Sequence, residues 1–197
     1  PTDPTDPTDP VTPADGFADM AGSEWANDAV NALAKAGIIN GVGGNNFDPN
    51  GNVKREEFAK MVVGVFGLEA SNAAVTFADV DANAWYAPFI AAAVEAGLIT
   101  GESEEYFGVE LNITREDMAT ILGRALNRTA TAELSFTDAA EISDYAKNAV
   151  ALLSELGIIN GYEDGSFAPK ATATRAEAAK MMYGVMQLVA ADKDSDE

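Results

Sequence analysis

Apolar residues recur along this chain at helical spacing, in two kinds of short segment. Trp25, Ala29, Leu33 and Ala36 lie three to four apart, as do Trp85, Phe89, Ala93 and Ala96, so each set predicts a helix with one apolar face. This places Trp25 and Trp85 on the core side, as anchors whose indole edges can still reach a groove. The second kind of segment begins near Arg55, Arg115 and Arg175. It carries Phe58, Met61, Val62, Val65 and Phe66 in the first instance, Met118, Ile121, Leu122 and Leu126 in the second, and Met181, Met182 and Val185 in the third. Gly37, Gly97 and Gly157 end the first segments, supplying the left-handed residue that a helix C-terminus favours. Polar turns separate the two kinds: Gly43 to Asn46, Glu102 to Glu105, and Glu163 to Ser166.

The pattern is one unit written three times. Phe17-Ala18-Asp19 returns as Phe77-Ala78-Asp79 and Phe136-Thr137-Asp138, and Ala36 to Gly41 returns as Ala96 to Gly101 and Leu156 to Gly161. So many matches in one register define a repeat of about 60 residues. We divide the chain into a Pro/Thr/Asp linker over 1–16, repeats over 17–76, 77–135 and 136–191, and an acidic tail over 192–197 that is expected to be frayed. One helix-loop-helix of this size cannot bury both of its stripes, so the repeats are expected to pack into one cooperative all-α body. The linker's Pro-Thr-Asp triplets favour extended polyproline II, and about 13 such residues span roughly 40 Å towards an upstream cargo domain.

Composition narrows the chemistry. The 197 residues include no Cys and no His, which removes disulfides, thiolate and imidazole metal sites and the commonest general base. A net charge of −20 repels nucleic acid and anionic lipid, and no apolar run is long enough to insert in a membrane. No cofactor is expected. Asp79-Val80-Asp81-Ala82-Asn83 opens like a calcium loop, but Ala84 and Ile90 stand where the loop needs Gly and Glu. A glycoside hydrolase would need a carboxyl group set among apolar residues, and no lone carboxylate interrupts an apolar stretch. No catalytic residue is therefore assigned.

The strongest local motif opens each second helix: Lys54-Arg55-Glu56-Glu57, Thr114-Arg115-Glu116-Asp117 and Thr174-Arg175-Ala176-Glu177. T-x-x-E is a capping box, which accounts for Thr and Glu. It does not account for Arg, because a cation in the first turn opposes the helix dipole. Two readings stand side by side. Arg beside free N–H groups makes a site for a small anion such as a carboxylate, or it makes an ion pair with an acidic residue of the neighbouring repeat.

Taken together, the F-x-D opening with Trp six residues on, the A-G-I-I-N-G turn, the loop Tyr162 to Pro169 and T-R-A-E resemble S-layer homology repeats from Phe17 to about Leu188. The resemblance implies a pseudo-threefold helical bundle whose inter-repeat grooves bind secondary cell-wall polysaccharide linked to peptidoglycan, often carrying pyruvylated N-acetylmannosamine. It implies an extracellular place in the wall or surface layer of a Gram-positive bacterium. It nominates Arg55, Arg115 and Arg175 for the ligand carboxylate, Trp25 and Trp85 as aromatic walls, and the backbone of Gly41, Gly101 and Gly161 as further contacts. Lys54 replaces Thr in repeat 1 and adds a cation beside Arg55. In repeat 2, Glu104 and Glu105 replace the D-G-S-F loop, and in repeat 3 Tyr145 or Asp144 stands near the Trp position, so the grooves are expected to be unequal. The alternative function is a structural or protein-partner module that assembles with other surface proteins.

Overall fold

A computed structural model describes residues 16–195, so the linker, apart from Gly16, lies outside the described residues. Six helices follow in order: α1 (Asn27–Lys35), α2 (Arg55–Phe66), α3 (Ala87–Glu95), α4 (Arg115–Leu126), α5 (Lys147–Glu155) and α6 (Arg175–Ser195). Among the described residues there is no strand beyond isolated bridges, so the all-α class holds. The long helices start at the three arginines. The short ones stop where Gly37, Gly97 and Gly157 take φ of 71°, 69° and 69°.

Trp25 corrects the periodicity reading. Helix α1 begins two residues after it, and Trp25 sits in a 3-10 turn, Glu24–Ala26. Three residues per turn rotate the register, so Ala26 takes the fully buried position and Trp25 is left 52% exposed. Trp85 likewise precedes α3. It is half-buried, edge-on to Tyr86 and tilted against Phe89.

Helix pairing runs across repeats. Helix α2 packs on α3, α4 on α5, and α6 returns to α1, which closes a ring. At its centre three backbone bonds form a cycle: Ile113 N–H donates to Val53 O at 2.9 Å, Val53 N–H to Ala173 O at 3.1 Å, and Ala173 N–H to Ile113 O at 3.1 Å. All three residues are buried. This pseudo-threefold axis joins the repeats through main chain, and Phe47, Phe107 and Phe167 fill the core around it.

Each F-x-D motif pins its own repeat's loop. Asp19 accepts from Phe47 and Asp48 N–H, Asp79 from Phe107, Gly108 and Val109 N–H, and Asp138 from Phe167 and Ala168 N–H, all at 2.7–2.9 Å. The Asp79 carboxylate is thus committed to backbone, and the described residues contain no acidic group arranged to hold a metal. The residue after each loop Phe is left-handed: Asp48 at φ 59°, Gly108 at 92° and Ala168 at 53°. Ala168→Gly should therefore stabilise the chain by about 0.5–1 kcal/mol, since repeat 2 already uses glycine there. Denaturant midpoints of the two chains check it.

The tail departs from expectation. No Gly or Pro interrupts α6 after repeat 3, so the helix continues to Ser195, and Asp192 pairs with Arg128 at 2.6 Å. Residues 196 and 197 lie outside the described residues.

Candidate functional site

The helix starts are closed by the next repeat. Arg55 N–H donates to Leu111 O (3.0 Å), Arg115 N–H to Ala171 O (3.0 Å) and Arg175 N–H to Gly51 O (2.8 Å). Glu116 and Ala176 N–H reach Pro169 and Pro49 O, and the third N–H of α4 and of α6 is taken by Thr114 or Thr174 Oγ1 at 3.2 Å. At Arg115 and Arg175 the first-turn N–H groups are thus occupied, and at Arg55 its own N–H is, which corrects the helix-terminus half of the anion-site reading for α4 and α6. Lys54 has no acceptor atom, so its cap keeps one arm, with Glu57 accepting from Lys54 N–H at 2.7 Å. Asp117 is a methylene shorter than Glu177 and binds the Thr114 hydroxyl, whereas Glu177 accepts from both the N–H and the hydroxyl of Thr174.

The arginine side chains reach forward into the following repeat, and all three are buried. Their Nε atoms donate to the loop carbonyls of Phe107, Phe167 and Phe47 at 3.0, 2.8 and 2.8 Å. Each pairs with a carboxylate of that repeat: Arg55 with Glu102 (2.7 Å), Arg115 with Glu177 (2.7 Å) and Arg175 with Glu57 (3.7 Å). The inter-repeat ion pair is therefore real. It leaves the outer nitrogens to decide what else each Arg can meet. Nη2 of Arg55 donates to Thr100 O and that of Arg175 to Asn40 O. Among the described residues no acceptor meets Nη2 of Arg115, whose guanidinium lies 4.6 Å from the Tyr162 ring centre.

Three grooves result, each built by all three repeats or flanked by the third. Arg55 opens on a cavity of about 300 Å³ with Gly101, Asp117, Thr120 and Arg124 of repeat 2 and Tyr145 of repeat 3. Arg115 opens on one of about 510 Å³ with Gly161, Tyr162, Glu177 and Lys180 of repeat 3 and Trp25 of repeat 1. Around Arg175 only about 20 Å³ remains, among Asn40, Glu57, Lys60 and Met61. Trp85 stands beside that third groove, 5.9 Å from the Lys60 amine, but does not line its cavity.

Gly41 does not line the cavity around Arg175, whereas Gly101 and Gly161 line those around Arg55 and Arg115. A steric need explains all three glycines: an added Cβ would lie 2.5–2.6 Å from loop carbonyl oxygens and 2.6–2.8 Å from Phe17, Phe77 or Phe136. Lys54 likewise lines none of the cavities around Arg55, Arg115 and Arg175. It bridges repeats 1 and 2 through the Glu110 carbonyl (2.8 Å) and carboxylate (2.9 Å).

Spacing alone named Tyr145 only as a residue near the Trp position, took Glu57 and Glu177 only as part of the helix-start motif, and passed over Tyr162 and Lys180 as groove residues. Their common register was the available signal, since 57, 117 and 177, and 60, 120 and 180, are repeat equivalents. Burial and the Glu177 hydrogen bond at 2.6 Å push the Tyr162 hydroxyl up to about 12, so it stays a donor. Burial alone would raise Glu177, but Thr174 N–H, the Tyr162 hydroxyl and Arg115 outweigh it and hold the carboxylate below its usual range.

One inter-repeat seam is imperfect. Buried Glu116 accepts from Ser143 N–H and Oγ, the Tyr145 hydroxyl and the Lys170 amine, and although burial opposes it, these partners keep it ionised. Its equivalent, Glu56, meets Glu110 where Lys170 would stand, accepts Glu110 N–H at 3.1 Å, and is pushed up to about 7, chiefly by burial. A carboxyl group raised from its unfolded value binds more protons in the folded state. The penalty is absent below pH 4.5 and complete above pH 7, so stability should fall by roughly 1–2 kcal/mol across that window. Glu56→Gln should flatten the fall in a series of denaturant melts between pH 4.5 and 7.5.

The family model for the S-layer homology domain matches this chain at residues 16–59, 76–119 and 135–179. An amylopullulanase of Thermoanaerobacterium thermosulfurigenes is 37% identical over 83% of the chain, and exoglucanase XynX of Acetivibrio thermocellus is 38% identical over 83%. The surface-layer 125 kDa protein of Lysinibacillus sphaericus is 34% identical over 88%. The chain spans 9%, 16% and 15% of these proteins' own lengths. Three matched copies, arranged as a closed ring with one Arg at each seam, place this chain in the S-layer homology family.

Proposed function

We propose that this chain is a non-catalytic anchor, holding a longer secreted protein on the bacterial cell wall by binding a secondary wall polysaccharide linked to peptidoglycan, with the Arg115 groove as its principal site. The observation that carries the reading is the free Nη2 of Arg115, set in a roomy groove between an exposed Trp25 and Tyr162. Indole and phenol rings offer flat apolar faces to the C–H side of a sugar, and an outer guanidinium nitrogen offers a charge-assisted bond to a carboxylate. The pyruvyl ketal of a pyruvylated N-acetylmannosamine unit supplies such a carboxylate. Lys180 adds a second cation along the same wall.

With a net charge of −20 the chain gains nothing from long-range attraction to an anionic polymer, so contact must be short-range and only modestly salt-dependent. The enzyme relatives fit the same role: we read their shared portion as the attachment and the remainder as cargo, reached here through the residue 1–16 linker.

Sedimentation with protein-free wall sacculi tests this. Wild type should pellet with sacculi, less so after the pyruvyl groups are removed. Trp25→Ala should bind about tenfold more weakly with an unchanged melting temperature, because the side chain is exposed and its loss disturbs no core. A wild-type chain left in the supernatant defeats the anchor, and Trp25→Ala binding at full strength moves the site out of this groove.

A further inference from the structure

Repeat 2 breaks the register where α4 passes α5. Repeats 1 and 3 read Val63-Gly64 and Tyr183-Gly184, and the glycines lie against Ile38 and Ile158, which a Cβ would approach to 3.0 and 3.2 Å. In repeat 2 the glycine comes one position earlier. Gly123 packs on Ala149, where a Cβ would sit 2.6 Å from that residue's own, and Arg124 takes the position that is glycine elsewhere.

A second cavity of about 420 Å³ opens there, lined by Arg124, Asn127, Arg128, Thr129, Tyr145 and Asn148 above the Gly123–Ala149 contact. Arg124, Thr120 and Tyr145 also line the Arg55 groove, so the two spaces share a wall. No Asp or Glu lines the second cavity, in a chain with 32 acidic residues. Among the described residues nothing pairs with the Arg124 guanidinium, while Arg128 is held by Asp192. The carboxylates of the adjoining groove are engaged, Glu102 with Arg55 and Asp117 with the hydroxyls of Tyr145 and Thr114.

We infer that this cavity is a subsite for an anionic saccharide unit, its carboxylate or phosphate on Arg124 and its hydroxyls on Asn127, Thr129, Tyr145 and Asn148. An unpaired guanidinium suits two oxygens of such an anion, and amide and hydroxyl groups suit sugar hydroxyls as donors or acceptors. The inference rests on the wall-polymer reading for the chain that delivers the unit, since glycan lying beside Arg55 runs on past Arg124. Repeats 1 and 3 have glycine in place of Arg124, so the subsite belongs to repeat 2.

The full chain can be titrated by NMR with methyl glucuronoside, glucose 6-phosphate and, as the neutral arm, methyl glucoside. The amides of Gly97, Asn127, Thr129 and Asn148 should move with the charged sugars and not with the neutral one, and the stronger binder of the two identifies the anion. Arg124→Gln keeps a good helix former in place and should weaken that binding roughly three- to tenfold. Amides unmoved by either anion, moved equally by the neutral sugar, or unaffected by Arg124→Gln overturn the subsite. Sacculus sedimentation is scored apart: its failure with wild type removes the wall anchor, while the titration still decides the cavity.

Discussion

Arg115→Ala is expected to destabilise the chain by about 3–5 kcal/mol, before any ligand is considered. The side chain is 8% exposed, donates to Phe167 O at 2.8 Å and pairs with Glu177 at 2.7 Å. Truncation leaves a carbonyl and a carboxylate buried with fewer partners, and it opens a void beside Tyr162 and Phe167. For a chain of this size the melting temperature should fall by roughly 10 °C or more, which calorimetry reads directly. Arg55→Ala should cost less, because its partner Glu102 is half exposed and water can replace the guanidinium. Equal losses, or a loss under about 1 kcal/mol at Arg115, would refute the keystone role. The consequence for wall binding is practical: an alanine scan of the three arginines confounds fold with site, and Trp25→Ala does not.

The same arginines show where reading residues in order succeeds and where it stops. Helix starts at Arg55, Arg115 and Arg175 follow from local capping and periodicity, which depend on neighbours within a turn. The Nε bonds of Arg55 and Arg115 reach 52 residues ahead, and that of Arg175 reaches back to repeat 1. Periodicity tells which face is apolar and not which repeat covers it. The expectation of an ion pair to a neighbouring repeat was sound because it asked only for a partner, whereas the expectation of open helix termini overlooked carbonyls arriving from the next repeat. Trp25 was misplaced for a narrower reason: a 3-10 entry turn shifts the face by a fraction of a turn, and nothing in the spacing of Trp25, Ala29 and Leu33 separates it from an α-helical start. Lys54, adjacent to Arg55 in sequence, crosses the same seam between repeats 1 and 2 but reaches Glu110 rather than the Arg55 cavity, since successive residues at a helix start diverge in direction.

The largest effect is expected from removing the third repeat. A fragment of residues 16–135 keeps four of the six helices, but α1 loses the face of α6 on which it packs, and α4 loses α5. Val53 N–H loses Ala173 O, Arg115 loses Phe167 O and Glu177, and the first N–H groups of α4 lose Ala171 and Pro169 O. Both cut faces are apolar stripes that no remaining element covers, and the residues meeting on the axis lie at the centre of the ring. Such a fragment should show no cooperative thermal transition, and its amides should exchange freely in α1 as well as in α4, although α1 lies far in sequence from the cut. A fragment that melts cooperatively within a few degrees of the whole chain would mean that ring closure contributes little and that adjacent repeats suffice. The proposed site carries the same requirement, because the Arg115 groove takes its Arg from repeat 2, its turn and Tyr162 from repeat 3 and its Trp25 from repeat 1. No pair of repeats contains that groove, so the fragment that loses the closed ring loses the groove with it.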